Sequence, residues 1–120
     1  MPSLRKGEIP FEAQYLYRRA LDMKDNGKTK DALKYLKMAV TAAPCFSNAY
    51  NVMGNCLDEM GRYEEAITKY GKVLEFKPDD AEARFKQELV KKKIQYPGIR
   101  PEPGEEQSSD FYLNIPELKL

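Results

Sequence analysis

Few side chains in this 120-residue sequence are grouped in a way that suits bond chemistry. Cys45 and Cys56 offer thiol nucleophiles. Glu64-Glu65 and Asp79-Asp80 are adjacent carboxylates, the type used in general acid–base work or to hold a divalent cation. Lys91-Lys92-Lys93 offers three cations to a phosphate. Each falls short on its surroundings. The sequence has no histidine, so the commonest general base is missing, and neither cysteine has a base beside it. Both acid pairs stand where a helix begins, a place the helix dipole favours for carboxylates. The lysine run stands where a helix ends and lacks the interleaved aromatics of a nucleic-acid surface. A net charge of +1 gives no general pull toward nucleic acid or anionic membrane. The expectation is a chain without catalytic residues, metal or cofactor, and without a nucleic-acid or membrane partner.

Groups suited to holding another chain are better placed. Asn51 and Asn55 lie four apart, and each can donate to and accept from a peptide backbone. Tyr17 with Leu21, and Phe85 with Leu89, are also four apart, the spacing that stacks side chains on one helical face. These pairs matter only if the elements carrying them are held in line.

An internal period of thirty-four supplies that alignment. Leu16 falls on Tyr50, Ala20 on Gly54, Met23 on Leu57 and Gly27 on Gly61; Ala32 falls on Ala66, Leu36 on Tyr70 and Pro44 on Pro78. Every pair agrees in size class, and the late glycine, the alanine and the proline are identical. Ala20, Gly54, Ala32 and Ala66 are small residues inside helical patterns, so each lets another helix approach closely. Gly27 and Gly61 stand where a left-handed residue ends a first helix. Pro44 and Pro78 stop the second. Helices are predicted over 11–26, 29–42, 46–60, 62–76 and 79–95, the last opened by a capping box of Asp79 and Glu82. Past residue 79 the period fails, since Gly54 maps to Glu88 and Gly61 to Gln95. Helix five is therefore a terminal cap, with Arg84, Gln87 and Glu88 expected in water. Arg19 has the same reading at the opposite end.

The pattern Tyr50-x2-Met53-Gly54-x2-Leu57, then Ala66-x3-Tyr70, then Pro78, resembles the tetratricopeptide repeat. The first unit, Leu16-x2-Arg19-Ala20-x2-Met23, then Ala32-x3-Leu36, then Pro44, resembles it more loosely. The resemblance implies an all-α, right-handed stack of helix-turn-helix hairpins, five helices in all, followed by a non-helical tail. The segments are 1–10 leading in, repeats at 11–44 and 45–78, a capping helix at 79–96, a Pro/Gly/acidic linker at 97–109 and an apolar tail motif at 110–120. It further implies a concave surface, lined by the first helix of each hairpin, that binds extended peptides. Its rows are Tyr17, Asn51 and Phe85; Leu21, Asn55 and Leu89; Gln14, Asn48 and Glu82; and Arg18, Val52 and Lys86. Some family members grip acidic tails with a carboxylate clamp. Its positions here hold Tyr17, Leu21, Val52, Glu82 and Lys86, of which only Lys86 keeps the charge, so the clamp is not carried over.

Cys45 and Cys56 are read as lying on one helix. Eleven residues at about 1.5 Å each separate them by roughly 16 Å, too far for a disulfide. Reduced thiols suit the cytoplasm. The opening MPSLRKGEIP lacks the apolar run of a signal peptide, and no segment approaches membrane-spanning length. The tail motif carries Phe111, Tyr112, Leu113, Ile115, Leu118 and Leu120. Residues 97–120 have Arg100 and Lys119 against Glu102, Glu105, Glu106, Asp110 and Glu117, a net of −3 that leaves the rest at +4. The expectation is a protein- or peptide-binding adaptor. The rival is a self-assembling module, with the tail docked on its own or a neighbour's helices to supply burial that two repeats lack.

Overall fold

The structure is a computed structural model that describes residues 8–96. The segment 1–7, the linker at 97–109 and the tail motif from Phe111 to Leu120 lie outside the described residues. Five helices run in order: α1 (Phe11–Asp25), α2 (Thr29–Ala42), α3 (Ser47–Glu59), α4 (Tyr63–Phe76) and α5 (Ala81–Gln95), with no strand among the described residues. Consecutive helices pack on one another, α1 on α2 and α3 on α4 as hairpins, then α2 on α3 and α4 on α5 between them. None of these helices is long and apolar enough to cross a membrane.

The turns follow from the residues that punctuate the period. Gly27 and Gly61 have φ of +78° and +79°, the left-handed region that a side chain makes costly. Each closes a Schellman motif. The Gly27 N–H donates to the Lys24 carbonyl and the Lys28 N–H to Met23; Gly61 and Arg62 do the same to Asp58 and Leu57. Without these bonds, carbonyls at the ends of α1 and α3 would have no partner. Helices α2 and α4 end at Ala42 and Phe76, two residues before Pro44 and Pro78.

One core runs through all five helices. Ala20, Ala32, Leu36, Cys56, Ala66 and Ala83 are closed to solvent, and Tyr70 and Leu57 are nearly so. Gly54 is there because of Tyr70. A Cβ at position 54 would lie 2.6, 2.8 and 2.9 Å from three atoms of that ring. The first hairpin places Ala20 and Leu36 at the equivalent positions, so the smaller partner accompanies the larger ring.

Three expectations need correction. Cys45 is not on a helix with Cys56: it is an exposed residue of the α2–α3 turn, because α3 begins only at Ser47. The cap of α5 is Asp80 rather than Asp79. The Asp80 carboxylate accepts from the Ala83 N–H at 3.0 Å, which puts Glu82 in the first turn and leaves no reciprocal capping box. Gln87 is not in water. It is half-buried and its Nε2 donates to the Ile67 carbonyl at 3.2 Å, tying α5 to α4. Arg84 and Glu88 are exposed as expected. Arg19 is half-buried, its guanidinium 5.8 Å from the centre of the Tyr35 ring.

Candidate functional site

A cleft of about 740 Å³ opens beside α1 and the start of α3. That is within the usual range for a ligand site. It is lined by Ile9, Gln14, Tyr17, Arg18, Leu21, Asp22, Asp25, Phe46 and Asn48. Tyr17, Leu21 and Asn48 were expected on this face, with Gln14 and Arg18 in the flanking rows. Helix α1 aligns them, because positions 14, 17, 18, 21 and 25 recur at helical spacing. The α2–α3 turn brings Phe46 underneath. Its ring is buried and sits 5.0 Å, centre to centre, from Tyr17 at a tilt of 44°. Burial raises the Tyr17 hydroxyl above its ordinary pKa, so it remains a neutral donor and acceptor. The Gln14 amide is taken by the Ile9 carbonyl at 2.7 Å.

The remaining face residues lie outside this cleft. Asn51, Val52 and Asn55 are half-buried on α3, while Phe85 and Leu89 stand 64% and 43% exposed on α5. Neither Leu21 nor Leu89 belongs to the core. The two asparagines are not equivalent. Asn55 Oδ1 accepts from the Tyr70 hydroxyl at 2.6 Å, which ties α3 to α4. Asn51 Oδ1 is buried with no hydrogen-bond partner among the described residues. Both oxygens thus lie inward, one bonded and one not. Desolvation, reinforced by the Asp58 carboxylate, raises the Tyr70 pKa and keeps its hydroxyl proton in place as the donor to Asn55.

Charge along the face is mostly spent internally. Lys93 binds the Asp58 carboxylate at 2.8 and 3.0 Å, joining α5 to α3, and its ammonium lies 5.8 Å from the Tyr63 ring centre. Lys24 reaches Glu59 at 3.8 Å, joining α1 to α3. Lys86, the one clamp position with the right charge, pairs with Glu82 at 3.3 Å. A smaller hollow of about 220 Å³, among Lys30, Leu33, Lys34, Lys37, Met60 and Arg62, is below the usual range for a ligand site.

Cys56 and the Glu64-Glu65 pair have structural explanations here. Burial pushes the Cys56 thiol up to about 11, with the Glu59 charge adding to it, so almost no nucleophilic thiolate forms at neutral pH. Glu64 and Glu65 occupy the first turn of α4, and Glu65 holds Arg62 through bonds of 2.7 and 2.6 Å.

Ile9, Asp22, Asp25 and Phe46 were not foreseen at the site. Asp25 was within reach of sequence reasoning, since it continues the Leu21 row by one turn. Phe46 was not, because its counterparts thirty-four residues away are Glu12 and Asp80 and no row contains it.

A sequence model of the TPR repeat family matches residues 54–86, from the middle of α3 into α5. Over 72 residues, 60% of this chain, the sequence is 36% identical to a DnaJ protein P58IPK homolog from Arabidopsis thaliana. The matched stretch is 15% of that protein's length. The thirty-four-residue period, the glycine-closed hairpins and the family match on the second of them agree: residues 54–86 carry a TPR repeat, a motif that generally serves contact between proteins, within a body of five helices packed as successive hairpins.

Proposed function

We propose that this chain is a non-catalytic adaptor of the cytoplasm. Its shared face on α1, α3 and α5 binds an extended, partly apolar peptide of a protein partner. The observation that carries this reading is the distribution of apolar surface along that face. Tyr17 and Leu21 line an open cleft at one end, and Phe85 and Leu89 stand exposed at the other. The exposed Phe85 and Leu89, and the open parts of the half-buried Tyr17 and Leu21, gain from being covered, at about 25 cal/mol per Å² of apolar area. The asparagine amides between them supply donors for a peptide carbonyl. The absence of histidine and the protonated state of Cys56 support the non-catalytic part.

The test starts from a peptide selected out of a random library against the full chain. Phe85→Ala removes a side chain that the fold does not need, so the melting temperature holds while affinity falls about tenfold. Tyr17→Ala falls at least as far. Unchanged affinity in both variants contradicts the groove.

A second reading is favoured by one observation. Phe85 and Leu89 on α5 and Tyr96 just past its end are exposed; α5 carries a net +3, and residues 97–120 after Tyr96 carry −3. In this reading the tail residues Phe111 to Leu120 cover the α5 end, in the same chain or in a second copy. Deleting 97–120 then lowers the melting temperature, and lowers the molecular mass as well if the exchange is between copies. No change in either quantity excludes the reading.

A further inference from the structure

The cleft at the α1 end differs from the rest of the face in having unspent acid. Asp58, Glu59 and Glu82 are each neutralised by a lysine on a neighbouring turn or helix. Asp22 and Asp25 are exposed in the cleft lining, and among the described residues neither has a cation within 4 Å. Among the described residues Arg18 is the one cation of the lining, and it makes no ion pair with any of them. It lies one turn toward the start of α1 from Asp22, so charge along this edge of α1 runs from positive at Arg18 to doubly negative at Asp22 and Asp25. The same lining includes the apolar groups of Tyr17, Leu21 and Phe46.

This arrangement selects among peptides. A ligand carboxylate finds Arg18 alone and two repelling carboxylates beyond it. A ligand cation finds two carboxylates at the wet rim of an apolar surface, where lysine and arginine lay down their methylenes and keep the charged head in water. We infer that the cleft takes an apolar side chain on Tyr17 and Phe46, together with a lysine or arginine one or two residues away on Asp22 and Asp25. The partner segment is therefore basic and apolar, the opposite of the acidic tails that a carboxylate clamp would hold. This rests on the groove reading above and adds the charge of the ligand to it.

Acetylated, amidated ten-residue peptides with a central leucine test it against the full chain. The position after the leucine is lysine, alanine or glutamate, and affinity is read by fluorescence anisotropy. Lysine peptides bind roughly 3–10-fold tighter than glutamate peptides at low salt, and the ratio shrinks as salt rises. Asp22→Asn with Asp25→Asn removes the preference while leaving the alanine peptide's affinity in place. Both residues are exposed, so the variant keeps its fold. Equal binding of the three peptides, or a preference that survives in the double variant, overturns the inference, and loss of binding in Phe85→Ala still upholds the groove. Binding that Phe85→Ala and Tyr17→Ala both leave unchanged overturns the groove reading itself, as does a failure of every peptide to bind. A dimer that the lysine peptide dissociates puts a second copy in the cleft and also overturns it.

Discussion

Gly54→Leu destabilises the domain by at least the about 1–3 kcal/mol typical of overpacking, because there is no room for even the first atom of the new side chain. A Cβ at 54 sits 2.6 Å from the Tyr70 ring, and the ring cannot swing away freely. It is 1% exposed, and its hydroxyl is held by Asn55 at 2.6 Å. Gly54→Ala is the more discriminating change. Inside an exposed helix it stabilises by about 1 kcal/mol through propensity alone; here it destabilises. The first hairpin supplies the rescue, since it pairs Ala20 with Leu36 at the same two positions. Introducing Tyr70→Leu together with Gly54→Ala copies that pair. The double variant is then more stable than the sum of the single changes by about 0.5–3 kcal/mol. Urea unfolding followed by circular dichroism measures all three variants. A Gly54→Ala protein with a raised midpoint, or changes that simply add, means that the glycine is not there for the ring.

Leu36→Ala costs about 2–5 kcal/mol, the range for emptying a buried leucine site. Leu36 is fully closed to solvent and is among the largest side chains that are. Total stability in a domain of this size is roughly 0.05–0.15 kcal/mol per residue, so the change removes a large share of it. Met38, two residues on along α2 and 52% exposed, provides the contrast: Met38→Ala stays within about 0.5 kcal/mol. Similar unfolding midpoints for the two variants contradict the assignment of Leu36 to the core.

Features that recur at thirty-four residues were legible in the sequence. Gly27 and Gly61 share one left-handed turn, and Ala20, Gly54, Ala32 and Ala66 are all small and buried, so each position was read twice. What occurs once was harder to read. The Asn55–Tyr70 bond has no counterpart in the first hairpin, where the same two positions are Leu21 and Leu36, both apolar. Period alone therefore showed Asn55 as a surface amide and missed its inward bond. Asp79 and Asp80 are the same residue type, so composition could not choose the cap; the backbone chose the later one. Gln87 was assigned to the side left bare by a missing repeat. Its true equivalent is Met53, which is 2% exposed, so the glutamine faces inward and satisfies a carbonyl there. The cleft was half legible. Residues from α1 follow helical spacing, whereas Ile9 and Phe46 reach it from segments that no helical period describes.

That a peptide lies along α1, α3 and α5 is most directly tested by amide shift mapping of the full chain with a library-selected peptide. Perturbations saturate together at Tyr17, Leu21, Asn48, Asn51, Val52, Asn55, Phe85, Lys86 and Leu89 if the peptide lies there, with positions of α2 and α4 such as Lys34, Met38 and Thr68 left unmoved. Perturbations confined to α2 and α4, with the first set silent, would contradict it.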